Sequence, residues 1–304
     1  MTDRLCRLAL GAFVIGLAIA GPCSAQGEAD LGLVGHWQFQ EGAGDVVKDS
    51  SANHNDGRIV PSKTSEQTWG KGAFSRSVSF SGDNDHFVQV PASASLNTIK
   101  KKITVVVLIY PRTLWSPADK FRRKWDDLVT RIETMFGDTT YNKTHRVPNL
   151  TGYTAIVQRQ WRETMHPDQF YLGYGPRKDG LHYKWHLALA TTEPSIYMLP
   201  KGQTKPRVGE WVHLVGTYDG DTGKMSLYVD GDLIGTETHV GQIRLDPESF
   251  NRPLAIGAEL NGSRVDDPSG EFDGYIRDVR IYDRALSDVE VKALAGRDLG
   301  QVRK

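Results

Sequence analysis

Residues 103–110 read Ile-Thr-Val-Val-Val-Leu-Ile-Tyr, an almost unbroken run of apolar, mostly β-branched side chains. The run is far shorter than the ~20 apolar residues a bilayer span needs. Its β-branching favours a strand over a helix. A strand with no polar face must be covered on both sides. Any fold for this chain must therefore supply two layers of cover to one strand.

Shorter alternating runs recur between Gly, Asn and Asp signals at 34–40, 77–81, 87–90, 211–218, 225–229, 254–258 and 275–282. That pattern predicts an all-β sandwich. Glycine, at 31 of 304 residues, is in excess of the usual ~7% and falls largely at these turns. Asp230-Gly231 has the chemistry of a tight hairpin turn.

Two segments read as helices instead. Ser116 can cap and Pro117 suits the first helical position, and Phe121, Trp125, Leu128, Val129, Ile132, Met135 and Phe136 then recur at helical spacing up to Gly137. This amphipathic helix sits in an insertion at 112–150. The second is short, 288–295, opened by a Ser287/Glu290 capping box and stopped by Gly296, with a loose polar tail at 297–304.

The first 25 residues read as a secretory signal peptide. Arg4 and Arg7 precede an apolar run at 8–20, Gly21-Pro22 breaks it, and Cys23-Ser24-Ala25 places small residues before a cut at Gln26. The remaining domain, 26–304, would carry no cysteine, because Cys6 and Cys23 are the only two. It is expected to be secreted, periplasmic or at the cell surface, with no membrane span. Lys+Arg and Asp+Glu balance at 37 each, which argues against a nucleic-acid binder.

A set of motifs in fixed order spans nearly all of 26–304. It begins with Gly35-His36-Trp37-Gln38-Phe39, then Asp49-Ser50-Ser51-Ala52-Asn53-His54-Asn55-Asp56-Gly57, and Trp69-Gly70-Lys71-Gly72-Ala73-Phe74. It continues with Gly209-Glu210-Trp211-Val212-His213, Leu227-Tyr228-Val229-Asp230-Gly231, and Phe272-Asp273-Gly274-Tyr275-Ile276-Arg277-Asp278-Val279-Arg280-Ile281-Tyr282. In that order the chain resembles the laminin-G-like jelly-roll family of the concanavalin A-like lectin/glucanase superfamily. The resemblance implies a two-sheet antiparallel jelly roll whose first and last strands lie side by side. The aromatic residues of the motifs read mainly as fold-specifying.

Calcium is the candidate cofactor. Asp49, Ser51, Asn53, Asn55 and Asp56 concentrate hard oxygen ligands, and the resemblance implies a structural ion near the first and last strands. The candidate ligands are Asp49, Asn53, Asp56 and Asp278. The competing reading makes Asp49, Asn53 and Asp56 turn residues that bond their own backbone. Arg277 stands where the family usually has an acid, and a one-residue shift would send Asp278 to the opposite face.

The candidate ligand face lies in 156–187, where Gln158, Gln160, Tyr171, Lys184 and His186 supply an aromatic ring with amide and cationic donors. His182 and His186 would lie ~13 Å apart on a strand, too far to share a metal. No nucleophile elbow, zinc motif or phosphate loop occurs. Glu271-Phe272-Asp273-Gly274-Tyr275-Ile276 matches only the first half of the Glu-x-Asp-x-x-Glu strand of laminarinase-like relatives. The sequence therefore predicts a secreted, non-catalytic carbohydrate-binding protein. A polysaccharide hydrolase or lyase of the same superfamily and an extracellular protein-interaction or adhesion module remain the alternatives.

Overall fold

The structure is a computed structural model that describes residues 31–60, 68–81, 87–114, 154–160, 168–176, 183–189, 196–198, 205–245, 250–261, 264–269 and 272–303. The chain divides into two units, Met1–Leu31 and Gly32–Lys304, and the fold described is that of the second. The expected signal peptide and the helix at 116–137 lie outside the described residues.

Two antiparallel sheets enclose one core, as a jelly-roll sandwich requires. In chain order the strands are β1 (Leu33–Trp37), β2 (Val46–Val47), β3 (Gly57–Val60), β4 (Val78–Ser81), β5 (Phe87–Val90), β6 (Lys102–Pro111), β7 (Thr154–Gln160), β8 (Asp168–Pro176) and β9 (Tyr183–Leu189). They continue as β10 (Ile196–Met198), β11 (Val212–Asp219), β12 (Lys224–Val229), β13 (Asp232–Thr238), β14 (Leu254–Ile256), β15 (Glu259–Asn261), β16 (Arg264–Ser269) and β17 (Asp273–Tyr282). The seven-stranded sheet runs β1-β17-β6-β11-β12-β13, with β4 also on β17. The eight-stranded sheet runs β10-β9-β8-β7-β14-β5-β3-β2, and β15-β16 form a separate ribbon.

The last strand, β17, organises the first sheet. One of its edges pairs with β6 throughout. Its other edge is shared: β4 covers Asp273 to Ile276, and β1 covers Val279 to Tyr282. First and last strands are thus neighbours. Between the two short partners the register slips at Ile276/Asp278, leaving Arg277 as the extra residue of a β-bulge.

The run at 103–110 receives its two layers of cover. Ile103, Val105, Val107 and Ile109 point into the core between the sheets. Val106 and Leu108 point outward into two further apolar clusters, with Leu294 in one and Leu299 in the other. Both leucines belong to α1 (Asp288–Val302), which lies on the outside of this sheet. The Ser287/Glu290 capping box opens α1 as expected, but Gly296 does not end it and residues 297–302 are not a loose tail. An internal glycine costs a helix ~1 kcal/mol. Burial of Asp298 and Leu299, at 2% and 6% exposure, outweighs that. The Asp230-Gly231 turn between β12 and β13 has both residues at positive φ, 54° and 87°, as its sequence demanded.

A buried ion cluster fastens α1 to the sheet. Arg280 of β17 donates to Asp298 Oδ2 at 2.6 Å and to Asp278 Oδ2 at 3.0 Å. Arg297 Nε donates to Asp298 Oδ1 at 3.1 Å. His213 of β11, fully buried, holds Nε2 3.3 Å from Asp298 Oδ2, too oblique for a hydrogen bond. His36 Nε2 lies 2.9 Å from Asp278 Oδ2 and 3.1 Å from Arg280 Nε, so its tautomer decides which it serves. Burial alone would raise the Asp298 carboxyl, but His213 and Arg280 hold it well below the usual carboxylate range.

Two outcomes follow from this arrangement. Leu299→Ala should lower stability by about 2–3 kcal/mol in denaturant titration, where a loose tail would give almost no change. A carboxyl with a depressed pKa contributes stability above its unfolded value near 4, and that contribution is lost as pH falls further. Thermal midpoints should therefore drop steeply below about pH 4, and Asp298→Asn should start lower and flatten that slope.

Candidate functional site

The four residues expected to hold calcium do not gather round a common point. Asp49, 3% exposed, accepts from His36 N (2.8 Å) and Ser51 N (2.8 Å) at Oδ1, and from Ser51 Oγ (2.8 Å) and Asn55 N (2.7 Å) at Oδ2. Both oxygens are met by N–H and O–H donors, which occupy the directions a cation would need. Asp56 accepts from Asp49 N at 3.0 Å and Lys48 Nζ at 2.6 Å. Asn53 turns its amide nitrogen toward Leu33 O and Val34 O. Asp278 stands elsewhere, facing Arg280 and His36. The bulge at Arg277 absorbs the extra residue, so Asp278 is not sent to the core face; it joins Arg280 on the outer side. Among the described residues no three His, Cys, Asp or Glu form a metal-binding group. The Asp49 loop is instead a hydrogen-bonded clasp on β1, fixed further by Trp37 Nε1 donating to Asn55 O at 2.8 Å.

The expected ligand face falls on the eight-stranded sheet, where one lateral row reads Gln89, Ala255, Gln158, Tyr171, Ala188 across β5, β14, β7, β8 and β9. Gln158 and Tyr171 are indeed cross-strand neighbours, but both are buried, at 1% and 5% exposure. Gln158 Oε1 accepts from Leu260 N of the β15-β16 ribbon at 2.7 Å. The Tyr171 hydroxyl donates to Thr154 O at 2.6 Å, with Tyr174 O at 3.2 Å as a second acceptor. Its ring lies against Gly173, where a Cβ would come within 2.7 Å of the Tyr171 oxygen. Both side chains serve the fold in these positions. Register pairs His186 with Gly173 and Lys184 with Gly175; of Gln160, Lys184 and His186 the backbone alone is described.

Arg159 has a structural role that the sequence reading did not foresee. It is completely buried and donates to Leu96 O (2.8 Å), Gln169 Oε1 (3.0 Å) and Asn97 Oδ1 (2.5 Å). Burial pulls its guanidinium down to about 10.

Among the described residues, a surface that combines accessible rings with polar donors lies on the outside of the seven-stranded sheet, beside the end of α1. Tyr275 of β17 stacks on Phe74 with centroids 4.2 Å apart and planes at 11°. Tyr110 of β6 meets Phe74 edge-on at 4.8 Å, and Trp211 closes the group at 5.6 Å from Tyr110. Leu108, Leu299 and Val302 floor it. Trp211 is buried, whereas Phe74, Tyr110 and Tyr275 are only partly so. The Arg112 guanidinium lies 5.1 Å over the Tyr275 ring, held by Asp273 Oδ1 at 2.8 Å. Arg277 donates to Ser75 O at 2.9 Å on the opposite flank. Tyr110 and Tyr275 are cross-strand partners whose side chains face outward. Their strand alternation was the signal available in the sequence. Rings for stacking with a few placed donors are the chemistry of a small-ligand surface.

Comparison with known proteins agrees with this architecture. The mouse (Mus musculus) pentraxin-related protein PTX3 is 36% identical over 99 residues, and the human (Homo sapiens) form 32% over 99. Those matches cover 32% of this chain and 26% of either relative, so the chain spans about a quarter of the pentraxins it matches. Among solved structures, the binding domain of Paraclostridial Mosquitocidal Protein 1 superposes with a TM-score of 0.55 at 16% identity, covering 89% of this chain and 53% of that one. Domain 4 of the arabinanase AbnA from Geobacillus stearothermophilus, in complex with arabinotriose, superposes at 0.53 and 16% identity, covering 86% and 98%. A Trypanosoma rangeli sialidase superposes at 0.50 and 14%, covering 88% of this chain and 33% of that one. At such identities these likenesses speak for the fold alone. The Laminin_G_3 family profile matches residues 131–292, just over half of the sequence, and the chain belongs to that family of the concanavalin A-like lectin/glucanases superfamily.

Proposed function

We propose that this chain is an exported, non-catalytic carbohydrate-binding protein, and that sugar docks on the ring cluster of Phe74, Tyr110 and Tyr275. The observation that carries this reading is that cluster, partly exposed on a rigid sheet and flanked by Arg112. A pyranose presents C–H faces that stack on rings and hydroxyls that accept from guanidinium donors. The arabinotriose held by the AbnA domain, a protein of the same fold, supports the reading by analogy. Asp273, on the same strand as Tyr275, is engaged by Arg112 and suits anchoring of that donor better than acid catalysis. Gln160, Lys184 and His186 stay in the proposal as a second contact region on β7 and β9.

The Asp49 clasp carries no ion in this account. Asp49→Asn should lower the melting temperature by the same amount with and without added calcium, and a chelator should leave the wild-type value unchanged. A chelator-sensitive wild type whose sensitivity vanishes in Asp49→Asn would overturn the clasp.

Binding is tested on immobilised polysaccharides. The wild type should be retained without releasing product, and Tyr275→Val, which keeps a good strand former, should weaken retention about tenfold. Release of reducing ends or unsaturated sugars would replace this reading with an enzyme of the superfamily. Retention of a protein but of no glycan would replace it with an adhesion module.

A further inference from the structure

The two halves of α1 are not held alike. The first is opened by the capping box and buries Val291 and Leu294 in a cluster with Val106, Val215, Tyr228 and Tyr282. Beyond Gly296 the helix buries only Asp298 and Leu299, with Val302 partly buried. Gly296 and Gly300 bracket these two residues, both exposed and internal to the helix. A Cβ at either would meet nothing within 4 Å, so neither close approach nor backbone geometry calls for glycine there. Each glycine makes the helical state about fivefold less populated than alanine would. The last turn carries no basic residue to meet the helix dipole. The ion pair of the cap residue, Arg303 to Asp230 at 3.2 Å, has an exposed guanidinium and holds weakly.

The polar contacts of this half gain little from closure. The pair of Asp298 and Arg280 is dehydrated, which offsets most of its attraction. His213 beside it is fully buried, and both its ring nitrogens lack a hydrogen-bond partner among the described residues. A buried polar group without a partner disfavours the closed state, and water satisfies it on opening. We propose that residues 297–303 are a strap, which unwinds from Gly296 onward while 288–295 stay docked. Leu299 shares a buried cluster with Leu108 and Trp211, so its withdrawal uncovers Trp211, whose ring stands 5.6 Å from Tyr110 and 6.1 Å from Phe74. Opening thereby adds a fourth ring to the three already accessible. The opening belongs to the fold alone; its use, to seat a longer stretch of glycan, rests on the proposed sugar surface.

Native-state hydrogen exchange on the full chain tests the opening. The amides of 298–303 should exchange at one common rate, at least a hundredfold faster than those of 292–295 and insensitive to low denaturant, as local openings are. Gly296→Ala/Gly300→Ala, for which there is open space, should slow 298–303 about twentyfold and leave 292–295 unchanged. Alkylation of Leu299→Cys by iodoacetamide, read at that residue by mass spectrometry, should slow by the same factor in the alanine background. Exchange of 298–303 at the rate of 292–295 would make α1 a single unit and overturn the strap. A gradient falling inward from Arg303 would be end fraying and would overturn it too, as would fast exchange that the alanines leave unchanged. The fourth ring is tested on the polysaccharides of the retention assay, where the alanine double variant should bind at least fivefold more weakly than the wild type. Equal binding would mean that sugar docks with the strap closed, which overturns the fourth ring and leaves sugar binding intact. Retention of neither protein on any polysaccharide would overturn the sugar reading and the strap's use together, with the opening itself still decided by the exchange rates.

Discussion

The outer face of the seven-stranded sheet depends on one dehydrated ion pair. Arg280 and Asp298, both nearly inaccessible, meet at 2.6 Å between β17 and α1. A buried pair of this kind is weak evidence of net stability, because desolvation offsets much of the attraction. What it does supply is position. Asp298 can be buried only where Arg280 meets it, so α1 has one seating on the sheet. With α1 seated, Val106, Leu108 and Val215 are dry, and the unbroken apolar strand at 103–110 has its second layer of cover. The end of α1 then floors the ring cluster with Leu299 and Val302. The same ion pair that closes the fold thus sets one boundary of the proposed sugar surface.

The second organising device is the β17 bulge. A strand without it would alternate strictly, and Arg277 and Asp278 would point to opposite faces. The bulge lets Asp278 join the ion cluster under α1 while Arg277 turns toward Ser75. One extra residue therefore separates a structural acid from a surface cation within a single peptide unit. Bulges are favoured where a side chain must be re-aimed.

The fold was largely legible because it is written in periodicity and turn chemistry. Alternation marked the strands, residues 103–110 announced double cover, and Asp230-Gly231 and the Ser287/Glu290 box behaved as their local chemistry requires. The extent of α1 was not legible, since Gly296 is a local stop signal and the burial of Asp298 and Leu299 is a tertiary fact. The candidate sites were less legible still. Oxygen-rich sequence at 49–56 has the composition of a calcium loop and of a hydrogen-bonded turn alike. Only the direction of the donors around Asp49 separates them. Gln158 and Tyr171 do lie on neighbouring strands, but their burial depends on the ribbon above and on Tyr171 folding back over Gly173. Phe74, Tyr110 and Tyr275 are 36 and 165 residues apart in sequence order. Their convergence required knowing that β4 and β6 both lie against β17.

Hydrogen exchange with and without a saturating oligosaccharide from a polysaccharide that retains the protein tests the central claim most directly. The account predicts slowed exchange in the segment 71–77, which carries Phe74, whether or not β7 and β9 respond as well. Slowed exchange confined to 154–189 would place the sugar on the eight-stranded sheet and contradict it.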